Sequence, residues 1–462
     1  MKNVINIREL LALFLAIVMV MGLMACGQKA SDTTPDATPD TTPDATSEAD
    51  TEAVSAESDE HIILTLWACN SMIDAAEYKL PEEEWYISGA IERFEQLHPN
   101  VTIEMAAYND NAQVANDFKA ATIAGYGPDV TCFMNGPFLS SISEGLLPMN
   151  EYVDDEWRNS QVGWNTVTAD LSENGILYGI PYGGQSVVCF AYNKALIAEA
   201  GLDFENNPPR TVQEFYDALD TIKAAGIQPM HTDESYPLLL LYGLGMWWEE
   251  QTGLDGILAH QTEQTSFTED AGFLYMLEEY KKFYDNGWLN EDTATSADEM
   301  NVFLQGECAV HTIGVWDLAT YGAALGDDLG ILPIPTTKAD MVNVNTAVGG
   351  VGAALCVSNF SENPDIAVEF VKFLTSRDEL IKYYTQTPAI PIRSDITASD
   401  IGQEDNPLFA KMMDMSAGIY YWPDNCLSLD AANIYYSMPA QVLVGNMTAM
   451  ELAEMMDEAQ MD

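Results

Sequence analysis

Basic side chains are scarce. Lys and Arg number 18 against 72 Asp and Glu, a net charge of −54. A surface of that sign repels phosphate backbones and anionic headgroups, which excludes nucleic-acid binding and charge-driven membrane adhesion. Charged residues make up only 19% of the chain, so the imbalance is a shortage of cations and not the signature of an acidic disordered polymer. Cysteines number 7 and histidines 5. No two cysteines stand as CxxC and no histidines as HxxxH or HExxH. P-loop, GxSxG and EF-hand spacings are also missing, so the chain offers no metal site, no cofactor site and no catalytic signature. Four cysteines sit in apolar runs (DVTCF, SVVCF, GECAV, AALCV), the pattern of small buried hydrophobes. What the chain does have is apolar mass: 47% of 462 residues, enough for two or three domains.

The amino terminus reads as an address. Lys2 and Arg8 precede the apolar run Leu10 to Met21, which is shorter than the roughly 20 residues a spanning helix needs and has the form of a secretory signal. It ends in Leu23-Met24-Ala25-Cys26-Gly27, which resembles the lipobox of bacterial lipoproteins. That resemblance implies a signal peptide over 1–25 and a diacylglycerol thioether on Cys26; an ordinary secreted chain with a chance cysteine is the alternative. Two or three acyl chains anchor stably where one does not. Residues 26–60 then form a tether. Ser31 to Thr46 reads SDTTPDATPDTTPDAT, with proline stiffening the chain, like charges repelling and no aromatic to bury. An extended, disordered spacer is expected.

Beyond residue 60, strands and helices alternate. Ile62 to Trp67, Val101 to Met105 and Asp129 to Phe133 are short apolar runs of the buried-strand type. Ile87, Ile91, Phe94 and Leu97 recur at helical spacing, as do Phe273, Met276, Leu277, Tyr280 and Phe283. Phe118 to Ile123 reads as helix. Thr211-Val212-Gln213-Glu214 is a capping box, with Gly226 just past the end of its helix. Asn363-Pro364 caps a further helix. The alternation implies an α/β fold with covered sheets.

At this point the body resembles the extracellular solute-binding proteins of ABC importers, in particular their carbohydrate-binding group, the maltose-binding protein family. Gly127-Pro128-Asp129-Val130 followed by Gly145-Leu146-Leu147-Pro148 is one of its motifs. Gly175 to Tyr182, then Tyr192-Asn193-Lys194, Ala200-Gly201 and Pro209 to Phe215, form the most specific stretch. Phe303-Leu304-Gln305-Gly306 with Ala309 and Gly314-Val315-Trp316 complete the order, followed by Gly349-Gly350 and Ala367 to Leu374. The resemblance implies a two-lobed periplasmic-binding-protein-like fold of type II, with a cleft between lobes joined by crossing strands. Residues 61–184 plus 349–385 would form one lobe, and 185–348 plus 386–462 the other. It implies a lipid-anchored receptor on the extracellular face of the membrane. Such a receptor is a monomer that passes a small solute to the transmembrane subunits of a permease without altering it.

Candidate ligand contacts follow from sugar chemistry. An axial C–H face suits an aromatic ring, and a hydroxyl rim wants amides and hydroxyls. Trp67 and Asn70 end the first strand; Asn135 and Gly136 follow the third; Tyr182, Gln185 and Ser186 lie at the first crossing. Trp316 matches the family's stacking tryptophan. Asp317 either takes hydroxyls or caps a helix. Gly349 and Gly350 permit close backbone approach near a crossing strand, or form an ordinary turn. Trp422, in Tyr420-Tyr421-Trp422-Pro423-Asp424, either stacks on ligand or covers core. Trp247-Trp248 is read as helix packing, with Tyr242 in the same class, and Arg393 as a structural ion pair. Two other readings stay open: a polyamine or other cation receptor of the same fold, and a surface glycoside-processing enzyme, which would need two carboxylates about 5–9 Å apart.

Overall fold

The computed structural model describes residues 61–460 apart from 70, 74–76, 173, 233–236, 262–263, 294, 297–298 and 388. The expected signal, Cys26 and the tether lie outside the described residues, as does Asn70. Nine strands form one continuous ladder: β1 Ile62–Ala68, β2 Val101–Ala107, β3 Val130–Met134, β4 Ile180–Asn193, β5 Gln228–Met230, β6 Cys308–Gly314, β7 Leu329–Leu332, β8 Ala347–Val357 and β9 Ile419–Tyr421. Their order is β2-β1-β3-β8-β4-β6-β5, with β7 also on β4 and β9 on β8.

Two long strands carry the architecture. The first half of β4 runs antiparallel to β8, from Ile180 opposite Leu355 to Val188 opposite Val348, with a register shift between Tyr182 and Gln185. Its second half leaves that pairing and runs antiparallel to β6 and β7. β8 likewise pairs β3 at one end and β9 at the other. Each of these strands therefore pairs with different neighbours along its two halves, and the chain crosses between two lobes through them. Leu64, Phe94, Phe118, Phe133 and Leu355 lie in one apolar core, which continues past the crossing to Phe303, Leu329 and Phe409. Phe190, Phe215, Trp247, Trp248, Phe283 and Tyr435 fill a second.

The three short apolar runs became β1, β2 and β3, and β1 pairs both others in parallel. Ile87, Ile91 and Phe94 are buried on the helix Tyr86–Leu97, while Leu97, at its last residue, projects past the core and is 65% exposed. The capping box holds in full: Thr211 accepts from Glu214 N, and the Glu214 carboxylate accepts from Thr211 N. Gly226 follows that helix with φ +82°. Asn363 departs from expectation. Pro364 opens its helix, but the Asn363 side chain makes no capping bond there. The six cysteines of the body are all buried and free.

Asp129 of the Gly-Pro-Asp segment has a structural task. Its Oδ2 accepts from the Thr65 backbone at 2.8 Å and the Thr65 hydroxyl at 2.9 Å. Its Oδ1 accepts from the Ser361 hydroxyl, and Thr65 Oγ1 accepts in return from Asp129 N. One carboxylate thus ties β1, the entry to β3 and the turn after β8. Asp129→Ala strands these donors, and a loss of about 2–3 kcal/mol is expected, read as an earlier urea midpoint at unchanged slope. A midpoint equal to the native one would show that the three segments hold without it.

Candidate functional site

The crossing strands set one wall of a cavity of about 900 Å³. Tyr182, Gln185 and Ser186 reach it from the irregular stretch of β4, and Gly352 and Ala353 from β8. The turn after β6 contributes Val315 and Trp316, and the segment after β9 contributes Trp422, Asp424 and Asn425. Tyr383 and Gln386, on the helix Arg377–Gln386, and Phe409, on Pro407–Met415, close it.

Aromatic rings dominate the far side. Trp316 is 46% exposed and lies nearly parallel to Trp422, with ring centroids 6.5 Å apart and planes at 29°. Trp422 is 8% exposed, held edge-on by Tyr242 at 5.2 Å. Gly314 explains the Gly-x-Trp spacing. A Cβ there would stand 2.2 Å from the Trp316 ring, so only glycine lets the indole fold back over the strand end. Among the described lining residues there is no Lys, Arg or His, and Asp424 is the one carboxylate.

Five of the sequence candidates therefore meet at one cavity: Tyr182, Gln185, Ser186, Trp316 and Trp422. Gln185 is already engaged, donating to Pro391 O at 3.0 Å. The others stand back from it. Trp67 packs its ring against Tyr108 and Phe118. Asn135 is buried, its amide donating to Thr166 Oγ1 at 2.8 Å and Val351 O at 2.9 Å, which fixes β3 against β8. Gly136, at φ +68°, gives way to the Asn425 backbone, whose Cα would lie 2.5 Å from an added Cβ. Asp317 sits beside Trp316, half-buried and outside the lining, and accepts no capping bond from the helix that follows. Gly349 opposes Val187 across the crossing, so its close approach is to protein backbone. Trp247 and Trp248 are fully buried, bonded to Pro335 O and Asp270. Arg393 pairs with Asp395 at 2.8 Å.

Sequence reasoning passed over Asp424, Asn425, Tyr383 and Phe409. Asp424 was legible in principle, two residues after Trp422 in an aromatic loop with no cation. Tyr383 and Phe409 lie on helices with no mark separating a cavity-facing ring from a core one. A second hollow of about 520 Å³, along Gln251, Glu269 and Tyr275, is bordered by Asp270, whose carboxylate is satisfied by Trp248, Thr252 and His260.

Residues 89–410 match the family model for bacterial extracellular solute-binding proteins. The chain belongs to that family. It is a family of receptors, and this solute-binding protein is accordingly not an enzyme. Over 325 residues it is 23% identical to the maltotriose-binding protein of Pyrococcus abyssi (strain GE5 / Orsay), spanning 68% of this chain and 65% of that one. Over 319 residues it is 24% identical to the galactooligosaccharide-binding protein of Bacillus subtilis (strain 168), spanning 66% and 69%. The chain thus covers about two thirds of the length of these relatives. Among solved structures it is similar to a chitin oligosaccharide binding protein (TM-score 0.71, 20% identity, 87% of this chain and 98% of that one). It is also similar to the sugar-binding protein MalE of Xanthomonas citri (TM-score 0.68, 18% identity, 86% and 97%). These likenesses establish the two-lobed fold of the solute-binding protein.

Three carboxyls, Asp424 buried and Glu249 and Asp317 half-buried, give the receptor a pH signature. Burial pushes Glu249 up to about 7, and Asp317 and Asp424 up to about 6. Glu249 Oε2 has no hydrogen-bond partner, and Lys338 and a backbone bond from Tyr421 offset the burial only in part. An acid raised in the folded state stabilises the fold at low pH and loses that contribution as pH climbs through the raised value. The protein is therefore expected to melt higher at pH 5 than at pH 8, with the loss falling between about 4 and 7. Glu249→Gln should recover about 1–3 kcal/mol at pH 8 and flatten the slope in thermal melts. A variant with the native slope would assign it elsewhere.

Proposed function

We propose that this protein captures a neutral sugar or oligosaccharide between its lobes and delivers it, unaltered, to the transmembrane subunits of an ABC permease. The observation that supports this most is the near-parallel Trp316 and Trp422 pair facing a cavity rimmed by amides and hydroxyls and free of cations among its described residues. A flat ring suits the C–H face of a pyranose, and Gln185 and Ser186 suit its hydroxyl rim. In this reading Asn135, Gly136 and Gly349 shape the wall, Asp317 backs the Trp316 turn, and Trp67 is the penultimate residue of β1, before Asn70 in the sequence. The lobes are 61–184 plus 349–385 and 185–348 plus 386–462, and hinge closure over the ligand is the working motion. Cys26 carries the lipid, residues 26–60 space a monomeric receptor from the outer face of the membrane, and no cofactor takes part.

Calorimetric titration tests the proposal. Maltotriose, galactooligosaccharides, chitin oligosaccharides and spermidine are the titrants. Micromolar affinity for a neutral sugar, about −8 kcal/mol, is the expected result. The lone carboxylate Asp424 favours one rival, a cationic solute: spermidine binding with no sugar binding would select that reading. Detergent partitioning of the full chain against Cys26→Ala tests the anchor, and equal partitioning would refute it.

A further inference from the structure

Three buried polar atoms of cavity-lining residues make no hydrogen bond within the protein: Asn111 Oδ1, the Tyr182 hydroxyl and Asp424 Oδ1. The last two belong to residues that are themselves buried. The Tyr182 hydroxyl, on β4, belongs to a fully buried residue and makes no hydrogen bond. Asp424 is 3% exposed; its Oδ2 accepts from the Tyr436 hydroxyl at 3.0 Å, the Tyr242 hydroxyl and the backbone at Asp424 and Asn425 also favour its ionised form, and Oδ1 is left without a well-aligned hydrogen bond. Both residues line the cavity, one from the crossing strand and the other from the segment after β9. A buried donor or acceptor left unmade costs about 1–3 kcal/mol, and native proteins keep few of them.

Neither atom is explained by the fold. The Tyr182 ring is held by Tyr383 at a centroid distance of 5.6 Å, and a phenylalanine would pack there equally well. An asparagine at 424 would serve Tyr436 through its own carbonyl oxygen. A carboxylate there is harder to justify structurally, because no cation among the described lining residues offsets it. An ionised carboxylate only accepts hydrogen bonds, so the missing partner must donate one. A second buried negative charge brought beside it would meet repulsion that water does not screen.

Resting on the saccharide reading above, we propose that Asp424 and Tyr182 are the specificity-determining pair of the cleft. Asp424 Oδ1 accepts from one ligand hydroxyl, the Tyr182 hydroxyl bonds a second, and the charge of Asp424 turns away saccharides that carry a carboxylate, sulfate or phosphate. The ligand class is an uncharged sugar with hydroxyls on two sides. Both atoms are shut off from bulk water, so contacts made to them form in a low-dielectric setting where they are worth most.

The test uses the full chain and four probes: maltotriose, galactotriose, chitotriose and trigalacturonate. Native protein is expected to bind a neutral trisaccharide and to discriminate against trigalacturonate. Tyr182→Phe should leave the unliganded melting temperature unchanged or higher and weaken the neutral probe about tenfold. Asp424→Asn should weaken it by about as much and narrow the preference for neutral over acidic probe at least ~10-fold. A neutral probe bound equally by native and both variants overturns the pair and leaves the saccharide reading standing. A fall in unliganded melting temperature with unchanged affinity overturns it as well, because it assigns the two groups a structural task. Failure of every saccharide to bind native protein sinks the saccharide reading and this inference together. Tyr182→Phe removes a single oxygen, so it decides the matter even if Asp424→Asn does not fold.

Discussion

Trp316→Ala is expected to weaken neutral-sugar binding by about 30-fold or more while moving the melting temperature little. Truncating a ring at the centre of a binding site costs about 2 kcal/mol or above, and 1.4 kcal/mol is a factor of ten in affinity. The indole is 46% exposed and leans on the equally flat Trp422, so its loss opens no core cavity. Trp422→Ala provides the contrast. That ring is 8% exposed and packed edge-on by Tyr242, so its removal should lower both affinity and stability. Titration calorimetry together with thermal melts separates the two. Native affinity in Trp316→Ala would move the stacking face elsewhere in the cavity.

Gly349→Ala should be the most destabilising glycine-to-alanine change among the described residues. A Cβ at this position would stand 1.9 Å from the Ser186 carbonyl oxygen and 2.7 Å from its carbon. Those are backbone atoms of β4, paired with β8 through Val187 opposite Gly349, and no rotamer change moves them aside. The crossing strands would have to part at the point where they pass between lobes, against the buried Val187, Val188 and Val348. Overpacking of a rigid wall costs about 3 kcal/mol or more, here a fall of at least ~5 °C in melting temperature. Gly352→Ala is the control: its Cβ would find only Trp422 Nε1 at 4.0 Å. A Gly349→Ala protein melting with the native one would show that the strands do not approach so closely.

The two substitutions also separate what patterns can and cannot tell. Gly349 reads from the sequence as a place for close backbone approach near a crossing strand, and the backbone that lies against it is that of β4. The Gly-x-Trp spacing marked Trp316, and the structure supplies its reason in the room Gly314 leaves for the ring. Asn135 had the right residue type at the right strand end, yet it is fully buried and its side-chain nitrogen is taken up by Thr166 and Val351. Trp67 ends its strand as expected and turns into a ring cluster with Tyr108 and Phe118. In each case the element was legible and the direction of the side chain was not.

Sequence alone determined the strand and helix alternation, the capping box at Thr211, the burial of the cysteines and the membership of a receptor family. These depend on residue type and on spacing within one segment, which is where hydrophobic period, caps and motif order act. Tertiary structure alone decided that β4 and β8 each change neighbours halfway along, that Tyr182, Trp316, Trp422 and Asp424 share one cavity, and that two of their polar atoms lack partners. Those facts join three segments, around Tyr182, Trp316 and Trp422, that lie more than a hundred positions apart, and no local propensity acts over such a distance: only the packed chain fixes which side chains meet and which polar groups are left for a ligand.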